Sequence, residues 1–174
     1  MCQPILVAYT TRYGSTEEVA QVIAANLRDA GFVAEALPAT SVQSLDHYDA
    51  VILGTALYMG FLHHDAKEFL RHHHEALQHR PVAFFALGPI HADDKDWIGA
   101  QDQARKELAK FPWFIPVAQE IFGGKFEPGK LGFPFKFVPP LRNMPASDVR
   151  DWDAIHTWVK QHVLPAFQEA HIYA

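Results

Sequence analysis

A chain of 174 residues, 49% hydrophobic and 20% charged, is long enough to bury a sizeable core and too apolar to be disordered, so residues 1–174 are expected to form a single domain. A formal net charge of −5 with histidine neutral argues against a nucleic-acid binder, and eleven histidines make any electrostatic steering pH-dependent. The lone cysteine, Cys2, rules out an internal disulfide and a cysteine-based zinc site. No run approaches the ~20 apolar residues of a membrane span, and no basic, apolar leader opens the chain, so a cytoplasmic location is expected.

In chain order, Ile5 to Tyr9 is an unbroken apolar run that predicts a strand buried on both faces. A hydroxyl-rich turn, Thr10 to Thr16, leads into a helix. Ser15 and Glu18 are spaced as a capping box, Val19, Val22, Ile23, Leu27 and Ala30 follow at helical spacing, and Gly31 stops the helix. Phe32 to Leu37 predicts a half-buried edge strand ended by Pro38, with a short helical turn near Ser44 to Asp46. Ala50 to Leu53 predicts a second buried strand, ended by Gly54. Ala66, Phe69, Leu70, His73 and Leu77 share one face of a helix. Val82 to Leu87 forms the next strand, a helix spans about Lys95 to Lys110, and Ile115 to Phe122 forms the last strand before Gly123 and Gly124. Trp152, Ile155, Val159 and Val163 stripe the final helix, which Pro165 ends or bends.

Strands apolar on both faces and alternating with helices predict an α/β fold, a doubly wound five-stranded parallel sheet in a three-layer sandwich. The strand order 2-1-3-4-5 fits this length and puts a switch point between strands one and three, where ligands bind outside the carboxyl ends of the strands. Three loops meet there: Thr10 to Thr16, Gly54 to His64 and Gly88 to Asp96.

The first loop joins a buried strand to a helix N-terminus, where free N–H groups and the helix dipole favour an anion. It lacks both GxxxxGK followed by Ser or Thr and GxGxxG, so neither a nucleoside triphosphate nor a dinucleotide is indicated. Its hydroxyls, the amides around Gly14 and Arg12 suit one phosphate monoester, at about 1.5–3 kcal/mol per charge-assisted hydrogen bond. The simpler alternative is an ordinary turn whose Ser and Thr cap a helix. The second loop carries Tyr58, Met59 and Phe61, an apolar set that soluble surfaces usually hide. It packs under neighbouring loops or receives a flat ligand. Gly88, Pro89, Ile90 and His91 in the third loop are likewise short of charge. A phosphate turn beside two glycine-bounded apolar loops meets the requirements of FMN.

These residues resemble the flavodoxin-like FMN proteins. TRYGST at 11–16 is similar to the (Ser/Thr)-x-x-Gly-x-Thr phosphate loop, and GTALYMG at 54–60 resembles the flavin-flanking loop of the quinone-reductase branch. The likeness is greatest to the flavodoxin-domain family that includes menaquinone-dependent protoporphyrinogen dehydrogenases, whose phosphate loop also carries an arginine at the place of Arg12. The resemblance implies that Thr11, Arg12, Tyr13, Gly14, Ser15 and Thr16 hold the phosphate, with Thr10 beside them. It implies that Thr55, Ala56, Leu57, Tyr58, Met59 and Gly60 line the ring's edge, and that Gly88, Pro89, Ile90 and His91 close the other side. The chemistry would be carried by the flavin, with no catalytic side chain required. His91 either delivers a proton or makes a loop hydrogen bond.

Lys125 to Ser147 is a long, Phe- and Pro-rich connection. It is either a lid for a substrate or quinone with peripheral membrane contact, as the resemblance implies, or a strap packing its phenylalanines over the sheet edge. His72, His73 and His74 point in different directions on a helix and read as a solvated run with His73 on the core face, not as a metal site. Trp97 and Trp113 read as core or rim residues. Three functions compete. One is an FMN-dependent oxidoreductase, protoporphyrinogen- or quinone-linked, with a small-molecule or quinone acceptor. Another is a one-electron carrier serving a redox partner protein. The third is a flavin-free receiver, disfavoured because no acidic pair follows the first strand.

Overall fold

The computed structural model describes residues 4–172; Cys2 lies outside them. Strand β1 (Ile5–Tyr9) is buried throughout and lies between β2 (Ala34–Pro38) and β3 (Ala50–Tyr58), parallel to both. A short β4 (Phe61–Leu62) folds back antiparallel on β3. Strand β5 (Val82–Leu87) pairs with the other edge of β3, and β6 (Ala118–Phe122) completes the sheet. The parallel order β2-β1-β3-β5-β6 is the doubly wound order expected from the sequence, with β4 an added hairpin strand. Strands β7 (Lys125–Phe126) and β8 (Ser147–Asp148) form a separate pair that closes the base of the long connection.

Alternation along β1 sends Ile5, Val7 and Tyr9 to one face and Leu6 and Ala8 to the other, and each face has its own core. On the first face lie α1 (Ser15–Asp29) and the C-terminal helices. On the second, buried side chains come from α2 (His64–His72), α3 (His74–Gln78) and Phe111 and Phe114, which follow α4 (Asp94–Leu108). Full burial of each large aliphatic side chain in these layers is worth about 1.5–3 kcal/mol. A single-turn helix, α5 (Pro139–Arg142), lies in the connection, and α6 (Trp152–Trp158) and α7 (Leu164–Ile172) end the chain.

Several local expectations are corrected. Gly54 does not end its strand: β3 runs on to Tyr58, because a Cβ at Gly54 would lie 2.2 Å from the Phe85 ring, so the glycine admits a neighbouring side chain and does not mark a break. The hairpin turns instead at Met59 (φ 48) and Gly60 (φ 86), two consecutive left-handed residues. Ser15 and Glu18 form no capping box. Gly14, with φ 92, is the N-cap, its N–H donates to Thr11 Oγ1 at 2.9 Å, and Ser15 is already helical. Glu18 instead accepts from Arg150 at 2.7 Å.

The helix expected through Leu77 breaks at His73, whose buried ring Nε2 meets the Val42 carbonyl at 3.3 Å. Strand β2 begins at Ala34, two residues later than expected. The short helical turn falls at Ala39–Ser41, while Ser44 Oγ accepts from Asp46 N at 3.1 Å. Strand β6 begins at Ala118 because Pro116 cannot donate to a ladder, and Ile115 is 82% exposed. Pro165 does not end the last helix; a wide π-type turn at Val159–Val163 precedes it and α7 continues. Among the described residues no helix is long and apolar enough to cross a membrane.

Candidate functional site

The carboxyl ends of β1, β3 and β5 open into a cavity of about 630 Å³. Its first wall is the turn after β1. Left-handed Gly14 reverses the chain, so that α1 begins with no side chain capping its first turn and its leading N–H groups remain available to a ligand. Thr11, Arg12, Tyr13, Ser15 and Thr16 all border the cavity, with Thr16 itself only 1% exposed. Thr10 sits beneath, where its hydroxyl donates to Thr55 Oγ1 at 2.9 Å and ties the end of β1 to β3.

The second wall is the β3–β4 hairpin. Ala56, Leu57, Tyr58, Met59 and Gly60 border the cavity, while Thr55 is fully buried below. The Tyr58 and Tyr13 hydroxyls are 3.1 Å apart. Burial, and then this contact, push the Tyr58 phenol up to about 12, with Arg12 opposing. The Arg12 guanidinium lies 5.1 Å from the Tyr58 and Phe135 ring centres and 5.6 Å from that of Tyr13.

Gly88, Pro89 and Ile90 make the third wall. They are held to the end of β6 by Gly88 N donating to Phe122 O at 2.9 Å and Gly124 N donating to Pro89 O at 2.7 Å. His91 lies outside the cavity wall; its Nδ1 is 3.2 Å from Asp96 Oδ2, and it is Asp96 that borders the cavity. Gly14, too, shapes the wall without lining it.

Residues beyond those the resemblance implies complete the enclosure. From α4 come Lys95, Gly99, Ala100 and Gln103, whose small residues and one-turn spacing were a readable sign of a close approach. His63 also borders the cavity, and its Nδ1 accepts from Asp65 N at 3.2 Å to cap α2. Phe126, Glu127, Leu131 and Leu141 come from the long connection. That segment does not lay its phenylalanines over the sheet edge. Phe135 packs edge-on against Tyr58 at 5.8 Å, whereas Phe133 and Phe137 are 75% and 65% exposed. Arg150, past its far end, pairs with both Asp148 and Glu18 and so anchors the connection to the first turn of α1.

The histidine run divides by environment, His73 against Phe69 in the core and His74 against the Trp113 ring at 4.1 Å. Trp113 is half-buried beside Phe111 and Phe114, and Trp97 is half-buried on α4.

Residues 6–138 match the sequence model of the Flavodoxin domain family. The chain is 27% identical over 111 residues to the protoporphyrinogen IX dehydrogenase [quinone] of Escherichia coli, a match spanning 62% of this chain and 61% of that protein. The match therefore covers less than two thirds of the relative's length. Among solved structures, a mutant flavodoxin from Pseudomonas aeruginosa superposes with a TM-score of 0.59 at 19% identity, over 95% of this chain and 99% of that one. The rubredoxin oxygen:oxidoreductase of Desulfovibrio gigas gives 0.58 at 15% identity, over 98% of this chain and 37% of that one. At these identities the structural likenesses speak for the fold, and with the sequence match over most of its length the chain belongs to the flavodoxin domain family.

Proposed function

We propose that this chain is an FMN-binding oxidoreductase, quinone- or protoporphyrinogen-linked. The observation that carries the reading is the cavity, about 630 Å³ and within the ~300–1,000 Å³ range of small-molecule sites, with an uncapped helix start on one side and an apolar slot on the other. Thr11, Ser15, Thr16 and the first-turn N–H groups of α1 would hold the phosphate. Tyr58, Met59, Gly60 and Gly88 to Ile90 would border the ring. When bound, FMN supplies the redox chemistry. The protein orients it and keeps water from it through Leu57, Leu87, Ile90, Phe126, Leu131 and Leu141.

A substrate-handling enzyme is favoured over a pure electron carrier because the long connection adds Phe126, Leu131 and Leu141 to the cavity wall, extending it for a second, small-molecule partner. The same connection has no acidic residue between Glu127 and Asp148 but carries Lys130, Lys136 and Arg142, with Phe133 and Phe137 exposed. This composition supports peripheral contact with an anionic membrane surface.

Titration of the cofactor-free protein with FMN tests the reading. One equivalent is expected to bind, with quenched flavin fluorescence and a shifted visible band. No measurable uptake would reject it. Co-sedimentation with anionic vesicles, lost in a Phe133→Ser/Phe137→Ser variant, is the expected result for the membrane contact.

A further inference from the structure

Arg12 borders the cavity, yet among the described residues no carboxylate or carbonyl accepts from its guanidinium. Three aromatic rings surround it at 5.1 to 5.6 Å without using any of its five N–H donors. Beside it, the Tyr13 and Tyr58 oxygens are 3.1 Å apart. Only one of their two hydrogens can lie between those oxygens, so the other is free to donate outward. One cavity wall thus carries a permanently charged donor and a spare phenolic O–H. Donors of this kind favour an oxygen on which negative charge develops.

We infer that Arg12 and the Tyr13–Tyr58 pair, which the resemblance would place at the phosphate and the ring's edge, instead form a donor site for the oxygen of a planar, quinone-type carbonyl acceptor docked in the cavity, since Arg12 faces the Tyr58 and Phe135 rings. The inference rests on the flavin reading above. On two-electron reduction, the acceptor takes two electrons and one proton from reduced, anionic FMN, which ends oxidised and neutral. One ring oxygen of the acceptor is left as an oxyanion. That oxygen accepts hydrogen bonds from Arg12 and the free phenol, and then takes its second proton from water. Phe135 completes the ring set around Arg12, so the long connection contributes to the donor site as well as to the apolar wall.

The experiment uses the FMN-loaded, oxidised protein and a fluoronaphthol as a mimic of the half-protonated product, its ionisation followed by ¹⁹F NMR without turnover. Donors to the oxyanion lower the pH at which the bound naphthol ionises. Arg12→Gln and a Tyr13→Phe/Tyr58→Phe double variant are each expected to reduce the preference for bound naphtholate over naphthol about tenfold or more, the equivalent of one charge-assisted hydrogen bond. Arg12 is exposed and Tyr→Phe keeps the rings, so folding is expected to survive both changes. If wild type takes up FMN but the naphthol does not bind, or its ionisation is the same in wild type and Arg12→Gln, the donor site is rejected while the flavin reading stands. If wild type takes up no FMN, both fall.

Discussion

The hydroxyl of Thr10 donates to that of Thr55 at 2.9 Å, and both side chains are buried beneath the cavity floor. The bond ties the end of β1 to the neighbouring stretch of β3, and the loops that follow these two parallel strands make two of the three walls. Thr55→Val would leave the Thr10 hydroxyl buried without this acceptor and is expected to cost about 1–3 kcal/mol. Thr10→Val/Thr55→Val removes both groups and should cost less than the two single changes added together. Urea unfolding of the four proteins in a double-mutant cycle measures this coupling.

Glu107 on α4 is 3% exposed and pairs with Lys67 of α2 at 2.7 Å and with Lys110, while its Oε2 accepts from Leu62 N at 3.4 Å. Burial alone would raise its carboxyl. The hydrogen bonds and charges of Lys110 and Lys67 more than offset burial and hold it below the usual carboxylate range. A carboxyl lowered by folding stabilises fully above its unfolded value, about 4.3, and loses that contribution as pH falls through the folded value. Glu107→Gln is therefore expected to be less stable than wild type at pH 7, with the gap closing toward pH 3. Chemical denaturation across that range checks the sign.

Gly54→Ala is expected to destabilise by about 1–3 kcal/mol, since the added methyl would meet the buried Phe85 ring at 2.2 Å. Phe85→Leu in the same chain should recover part of the loss, although Phe85→Leu alone destabilises. Thermal melts of the single and double variants would detect the compensation.

Thr16→Ala should weaken FMN binding about tenfold or more, the loss of one hydrogen bond to a charged phosphate. Tyr58→Leu should weaken it less, because ring packing is worth about 0.5–1.5 kcal/mol beyond burial. Fluorescence titration gives both Kd values; equal values for wild type and Thr16→Ala would remove Thr16 from the phosphate site.

What the sequence by itself determined is the architecture and the place of the cavity. Runs such as Ile5 to Tyr9 and Val82 to Leu87 are apolar on both faces, which requires layers on both sides of a parallel sheet, and that arrangement brings the loops after β1, β3 and β5 to one end. These are local properties of periodicity and composition. Tertiary structure decided what each residue does there. Gly54 reads alone as a strand end, yet its meaning comes from a Phe85 ring on the neighbouring strand. Ser15 and Glu18 have capping spacing, yet left-handed Gly14 takes the cap and Arg150, 132 residues away, takes Glu18. Arg12 belongs to the turn after β1 by position, but its surroundings are set by Tyr58 and by Phe135 from the far connection. The division follows from range: backbone pattern is written in neighbouring residues, whereas close approach, ion pairing and ring stacking depend on which distant segments the folded sheet brings together.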